Sequence, residues 1–415
     1  MTLTETVFWT KIASKFVGAF VVLIIVGYYA YIYVISLTRT PEQVFRPDNK
    51  CGSLPEIAIE AQEGASYGNA VFQVTALSTS LPDNYEKAPL ITYVYKTDVR
   101  GETFETRDLA YSIAKDLEFE TPVEHAAGST VYVWRNKGLS STLTFNTDTF
   151  NFTYLRDNSV LPKIPNTELP GTTFKAPEYA SNYLRALGLY TAEFANGKSF
   201  SYPVVMSQGK SFLAESLFTA QLVRVDFQKV VPMLFYDKQV VSPTYNSPAL
   251  IDFVKFIELA KKKGEKDESH AKFYARRVGR TPETANVQVY LRSQVGNPAR
   301  GLQQLIYNNW KVEETPCGTA SIIRPSSAIL KIQKGEGTIA YLAPKGGDPL
   351  QPKSVDPLRE INLYNLELTY YEANTIQPYL QPIYVATGEV VYENGARGDI
   401  AIYVPAIDYG LQPKK

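Results

Sequence analysis

The sequence predicts an α+β protein: a single N-terminal transmembrane helix followed by two or three small helix-plus-antiparallel-sheet domains. Three observations predict it. Residues 16–37, "FVGAFVVLIIVGYYAYIYVISL", carry no charge, and about 20 such residues span a bilayer as a helix. Downstream, a helix-like segment followed by alternating strand-like segments occurs three times. The chain of 415 residues is also rich in aromatics, with 29 Tyr and 20 Phe, the composition of half-buried strands.

The apolar run is too long for the core of a cleaved secretory signal, and "AYIYVISLTRT" offers no clear A-x-A site. Tyr28, Tyr29, Tyr31 and Tyr33 crowd its C-terminal half, where aromatic rings reach the headgroup layer. Residues 1–15 read as a short tail and 16–37 as the anchor, with membrane lipid as its partner. Lys11 and Lys15 precede the run and Arg39, Arg46 and Lys50 follow it, so flanking charge does not orient it. A short tail ahead of a large polar body is the usual layout of an N-in, C-out anchor. The expectation is a single-pass protein in the cell membrane with its bulk outside the cytoplasm.

The stretch 38–57 is polar and proline-punctuated, as in a stalk. The first domain is expected over 58–170. A strand at 88–97 leads to "TFETRDLAYSIAKDLEF" (103–119), where Leu109, Ile113 and Leu117 recur every four residues on one helical face. Residues 129–157 alternate apolar and polar in three runs broken at "NKG" and "NTDT", a β-meander. The middle domain is expected over 171–315. "APEYASNYLRALGL" (176–189) places Pro177 in a first helical turn and Gly188 just past the end. A hairpin or extended loop at 196–212 and strands at 220–231 and 232–241 follow. An amphipathic helix at 247–263 and strand content in 285–293 and 301–314 complete it.

The last domain is expected over 316–411, with a tail at 412–415. A short helix at 324–337, entered by Pro325 and stopped by Gly335, precedes four alternating strand segments. In one of them, "LQPIYVATGEV" (380–390), Pro382 removes a ladder donor. That places Leu380, Pro382, Tyr384 and Gly388 at an edge or bulge; such an edge can receive a partner's strand or, read the other way, its prolines block unwanted pairing.

Charge excludes one class of partner. Lys plus Arg and Asp plus Glu both number 42, and tracking nucleic-acid phosphates needs a basic excess or stripe. The runs "KKK" (261–263) and "ARR" (275–277) flank an acidic loop and read as a solvated helix end. No nucleic acid is expected.

Catalytic patterns match by letter and fail by context. "GASYG" (64–68) has nucleophile-elbow spacing around Ser66, but neither a strand-like run before it nor a helical one after it. Ser112 and Lys115 stand one helical turn apart without the companion motifs of serine acyltransferases. "GKS" at 197–199 and 209–211 lacks the earlier glycine of a phosphate loop, so both copies read as turns. The two histidines, His125 and His270, lack a partner at ligand spacing, and Glu313–Glu314 is an ordinary carboxylate pair. No catalytic residue, cofactor or metal site is expected. Cys51 and Cys317, the two cysteines, could pair across a long loop or stay free.

The segments "PSSAILKIQKGEGTIAYL", "REINLYNLELTYYE", "YLQPIYVATGEVV" and "IAIYVPAI" together resemble the C-terminal part of YycH/YycI-like membrane-anchored regulatory ectodomains. They are also similar to the wider group of peptidase-propeptide-like modules. The likeness covers about 85 residues, and the family has no catalytic residues to transfer. It implies an extracytoplasmic, non-catalytic protein that acts by contact with a membrane or envelope protein, such as a sensor kinase or a protease, in envelope signalling. The longer middle region, roughly 196–315, departs from the family pattern. Two alternatives stand beside this reading: a self-associating structural subunit of a surface assembly, and an envelope hydrolase built from scattered residues such as Ser66.

Overall fold

The computed structural model describes residues 24, 27–29, 47–74, 91–98, 101–120, 122–126, 128–156, 175–233, 258–260, 270–292, 297–352 and 357–411. The chain divides into two units, Met1–Arg46 and Pro47–Lys415. In the first unit, Ile24 and residues 27–29 are helical; the rest of the expected 16–37 span lies outside the described residues. Among the described residues no helix is long and apolar enough to cross a membrane. The expectation of a transmembrane, single-pass α+β chain is corrected on that finding and on the second unit, which is mostly β.

A nine-stranded antiparallel sheet runs in the order β3-β4-β5-β6-β14-β13-β9-β7-β8. One half is a meander of β3 (Pro122–Glu124), β4 (Val131–Asn136), β5 (Ser141–Asn146) and β6 (Asn151–Arg156). The other half is β7 (Lys198–Ser207), β8 (Lys210–Leu213), β9 (Leu222–Gln228), β13 (Val287–Leu291) and β14 (Leu302–Tyr307). The halves join where Leu305 of β14 pairs with Tyr154 of β6. The strands expected in separate first and middle domains therefore share one sheet.

Two helices cover one face of this sheet. α1 (Phe104–Asp116) starts at a capping box in which the Thr106 amide donates to Thr103 Oγ1 at 3.1 Å and the Thr103 amide to Thr106 Oγ1 at 2.9 Å. These bonds satisfy amides that a helix start leaves without partners. α2 (Ala176–Ala186) carries Pro177 in its first turn and is followed by Gly188 at φ +70°, a left-handed conformation that costs glycine little. Ile113, Leu117, Tyr183, Leu184 and Leu187 reach the core formed with Trp134, Phe145, Val225 and Leu305. Leu109, expected on the buried face of α1, is 40% exposed. Short helices α3 (Ala192–Ala195) and α4 (Pro298–Gly301) fill corners of this half.

The eight-stranded sheet has β17 (Leu358–Tyr371) as its spine. β19 (Pro382–Tyr392) pairs antiparallel with β17 on one side and with β20 (Arg397–Pro405) on the other, and β20 pairs with β16 (Thr338–Pro344). Along the opposite edge of β17 run two parallel partners, β1 (Val71–Val74) and β12 (His270–Val278). β10 (Val230–Met233) and β11 (Glu258–Ala260) pair with β12. α5 (Pro325–Gln333) packs Ala328 and Ile332 on one face, and Ile57, Tyr371, Val385 and Tyr403 form a second cluster. A three-stranded sheet of β15 (Gly318–Ser321), β2 (Ile91–Lys96) and β18 (Tyr379–Leu380) completes the fold.

Two local readings change. The helix expected over 247–263 falls mostly outside the described residues, and its described part, 258–260, is strand. Gly388, expected at an edge, lies inside β19 beside a register shift at Leu363/Asn365. A Cβ there would sit 2.3 Å from the Asn362 carbonyl oxygen, so close backbone approach demands glycine.

Candidate functional site

The two large sheets meet where the chain passes from β9 to β10. The single residue between these strands is Lys229, whose side chain is 1% exposed. Burying a lysine is costly unless its charge is paired, and the pairing comes from distant parts of the chain. Lys229 Nζ lies 2.7 Å from Glu372 Oε1 and also donates to Asn309 Oδ1. Glu372 follows β17 in the eight-stranded sheet, whereas Asn309 follows β14 in the nine-stranded one, so one ammonium ties both sheets.

Arg277 of β12 repeats the arrangement. Its Nη2 lies 2.6 Å from Glu372 Oε1 and donates to the Trp310 carbonyl at 2.8 Å. Its amide donates to the Lys229 carbonyl at 2.8 Å. Trp310 Nε1 reaches the Ala373 carbonyl at 2.7 Å, and Asn286 Nδ2 the Glu372 and Ala373 carbonyls at 3.0 and 3.1 Å. Two buried cations thus share one carboxylate, with Glu193 Oε2 at 3.9 Å from Arg277 Nη1 as a more distant, half-exposed counter-charge. Burial, then the neighbouring Arg277, pushes the Lys229 ammonium down to about 8, against the pull of Glu372.

A small hollow beside this junction is lined by Arg277, Glu372, Thr97, Trp310 and Gln377. It has room for about one water. Among the described residues Arg277 Nε is buried without a hydrogen-bond partner. The arrangement ties the two sheets together.

Two further ion pairs flank the junction. Arg276 bonds Glu367 through Nε at 2.8 Å and Gln228 Oε1 at 3.0 Å. Arg224 forks onto Asp226 at 2.6 and 2.7 Å, with Ser211 Oγ at 3.2 Å, and the Ala285 amide donates to the same carboxylate at 3.0 Å. Burial works against the charged Arg224, but Asp226 outweighs it and holds the guanidinium above its ordinary value.

The residues singled out from sequence fall elsewhere. Cys51 and Cys317 are bonded, with S–S 2.00 Å and Cα–Cα 5.2 Å, and the bridge is half-buried against the core of the eight-stranded sheet. Pro382, Tyr384 and Gly388 offer no open edge, which corrects their reading as a partner edge, whereas Leu380 lies in β18, an outer strand of the three-stranded sheet. Leu380 pairs with Tyr95, and the other three lie in β19 with strands on both sides. Tyr384 is 1% exposed and donates to the Ile323 carbonyl at 2.8 Å.

Ser66 is exposed on a turn, where its Oγ accepts from the Gly68 amide at 3.3 Å, with no strand before it or helix after it. Ser112 and Lys115 are exposed on α1. His125 stacks on Tyr132 with ring centroids 4.2 Å apart. The two "GKS" segments begin β7 and form the turn into β8. Among the described residues no three His, Cys, Asp or Glu side chains converge as a metal site.

The basic pair Arg276–Arg277, expected on a solvated helix end, lies in strand β12, with Arg277 buried between the sheets and Arg276 partly buried. The run 261–263 lies outside the described residues. The signal that could have found the junction is the placement of lone charges in apolar strands: Arg224, Asp226 and Lys229 in "LVRVDFQKVV". Such residues are almost never fully buried unless paired.

No protein-family model matches the chain, and no curated protein does. Among solved structures the chain is similar to an uncharacterized protein from Eubacterium rectale ATCC 33656, at 14% identity and a TM-score of 0.34, over 79% of this chain and 86% of that one.

Proposed function

We propose that this chain is a non-catalytic extracytoplasmic protein that acts by protein–protein contact in envelope signalling or regulation. The observation that carries the reading is the Cys51–Cys317 bridge. Disulfides form and persist in oxidising compartments and are rare where thiol reductants are kept active. The buried ionisable groups fit a binding protein better than an enzyme. Lys229, Arg277 and Glu372 are spent on one another, and so are Arg224 and Asp226. The partner class, a sensor kinase or a protease, comes from the resemblance of the last strands to YycH/YycI-like ectodomains.

Thiol trapping tests the compartment. Free thiols are alkylated in intact cells, and the chain is then denatured, reduced and labelled a second time. Both cysteines should take only the second label; a first label on both would sink the extracytoplasmic reading. Crosslinking in cells followed by mass spectrometry tests the contact. A co-purifying envelope kinase or protease supports the proposal, whereas recovery of nothing but copies of the chain favours a structural subunit instead.

A further inference from the structure

Outer strands of a sheet invite pairing with other chains, and folded proteins guard them. In this fold the outer strands are guarded by identifiable devices, the shortest of them, β18, by its two-residue length between Pro378 and Pro382. The edge of β16 is covered by Gln62, whose amide donates to the Ile339 carbonyl at 2.9 Å. The Gln62 carboxamide also donates to the Leu342 carbonyl at 2.8 Å and accepts from its amide at 2.6 Å, as a strand neighbour would. On β8, Asp348 accepts from the Leu213 amide at 2.8 Å and Gln351 donates to the Ser211 carbonyl at 3.1 Å. β15 is covered by Asp48 and Asn49, which bond both backbone groups of Thr319. β10 contains Pro232, whose carbonyl accepts from the Tyr95 hydroxyl at 2.6 Å. β3 begins with Pro122 and ends with Glu124, and β11 begins with Glu258.

β1 differs. Its sequence, "VFQV", has no proline and no charge. It pairs with β17 on its inner side, and among the described residues nothing pairs with its outer side. Phe72 and Val74 face the core of the eight-stranded sheet, while Val71, 62% exposed, and Gln73 face solvent.

We propose that β1 is a self-association edge, at which a second copy of this chain adds its own β1 antiparallel across a two-fold axis and joins the two eight-stranded sheets. A second copy suits this edge because the strand is uncharged. Two copies of β1 bring no like charges opposite one another, which is destabilising in cross-strand pairs. A two-fold perpendicular to the sheet also keeps each chain's core face on the same side. The axis therefore passes through a residue of the strand, which sets core-facing residues opposite core-facing ones, and through Phe72 or Gln73 for the longest overlap of the two four-residue strands. The first places Phe72 against its copy; the second places Phe72 against Val74, an aromatic–β-branched pair. Such an interface is isologous and closes at two subunits.

Sedimentation velocity of the full chain, wild type against Val71→Lys/Gln73→Lys, tests the proposal. Both substitutions fall on solvent-facing positions, so the thermal midpoint should not move. The wild type should sediment as a dimer and the variant at half that mass. A wild-type monomer at the highest soluble concentration overturns the proposal, and so does a dimer that survives the lysines. Should the variant fold poorly, hydrogen exchange decides on the wild type alone. The amides of 71–74 should gain protection as concentration rises, and unchanged protection overturns the assignment. The inference does not rest on the proposed signalling role: a β1 dimer with no further partner would sink that role and leave this one standing.

Discussion

Removing the disulfide should cost more than any other single change in this chain. The bridge joins residues 266 positions apart, so in the unfolded state it closes a loop of more than half the polypeptide. The chain-entropy relation for a loop of that size gives about 5 to 6 kcal/mol at 25 °C. Domains of ordinary stability hold about 5–15 kcal/mol in total, so the loss is a large share of it. The double variant Cys51→Ser/Cys317→Ser leaves no lone thiol, and urea unfolding followed by fluorescence measures the change. The midpoint should fall, and the slope should steepen because the uncrosslinked chain exposes more surface when unfolded. Reductant added to the wild type should reproduce both changes. A loss under about 1 kcal/mol with an unchanged slope would refute the reasoning, because it would mean that the unfolded chain is already as restricted without the bridge.

The other predictions concern the sheet junction and a guarded edge. Glu372→Gln leaves Lys229 and Arg277 buried without their shared carboxylate, and should destabilise by about 3–5 kcal/mol in chemical denaturation. Adding Lys229→Met should return a sizeable part of that loss, and strict additivity of the two changes would show that they do not interact. Because burial holds the Lys229 ammonium at about 8 in the fold against 10.5 ordinarily, both states are protonated below pH 8 and the burial cost is present in full. Between about 8 and 10.5 the unfolded chain binds more protons, so stability should rise with pH, a slope that Lys229→Met should abolish. Burial pushes Tyr183, Tyr341, Tyr371 and Tyr409 up to about 12. Above pH 10 the unfolded chain releases these protons first, so denaturation curves taken there should show stability falling. Gln62→Leu strips β16 of its side-chain partner and should cost about 1–3 kcal/mol, with light scattering reporting new aggregation if the edge is truly exposed.

Local features of the fold were legible along the chain. Thr103 before an apolar-periodic run, Pro177 and Pro325 in first turns, and Gly188 and Gly335 after the last turns act through backbone groups a few residues away. For that reason α1, α2, α5 and most strands lie where the pattern places them. The turn at 208–209 between β7 and β8 is local in the same way.

The sheets were not legible, because strand pairing is decided between segments far apart in sequence. Nothing local in "LQQLIY" states that it pairs with 152–155, and nothing in "LQPIYVATGEV" states that it is central rather than outer. The junction was hidden for the same reason. Arg276 and Arg277 look solvated beside an acidic loop until Glu367 and Glu372, about 90 residues on, supply the charges that let Arg277 be buried and Arg276 partly so. The sequence alone determined which residues bend, cap and alternate, since those are one-segment energies. Only the tertiary structure decided which edges are covered and which charges are buried, since desolvation and pairing are energies of two distant segments at once.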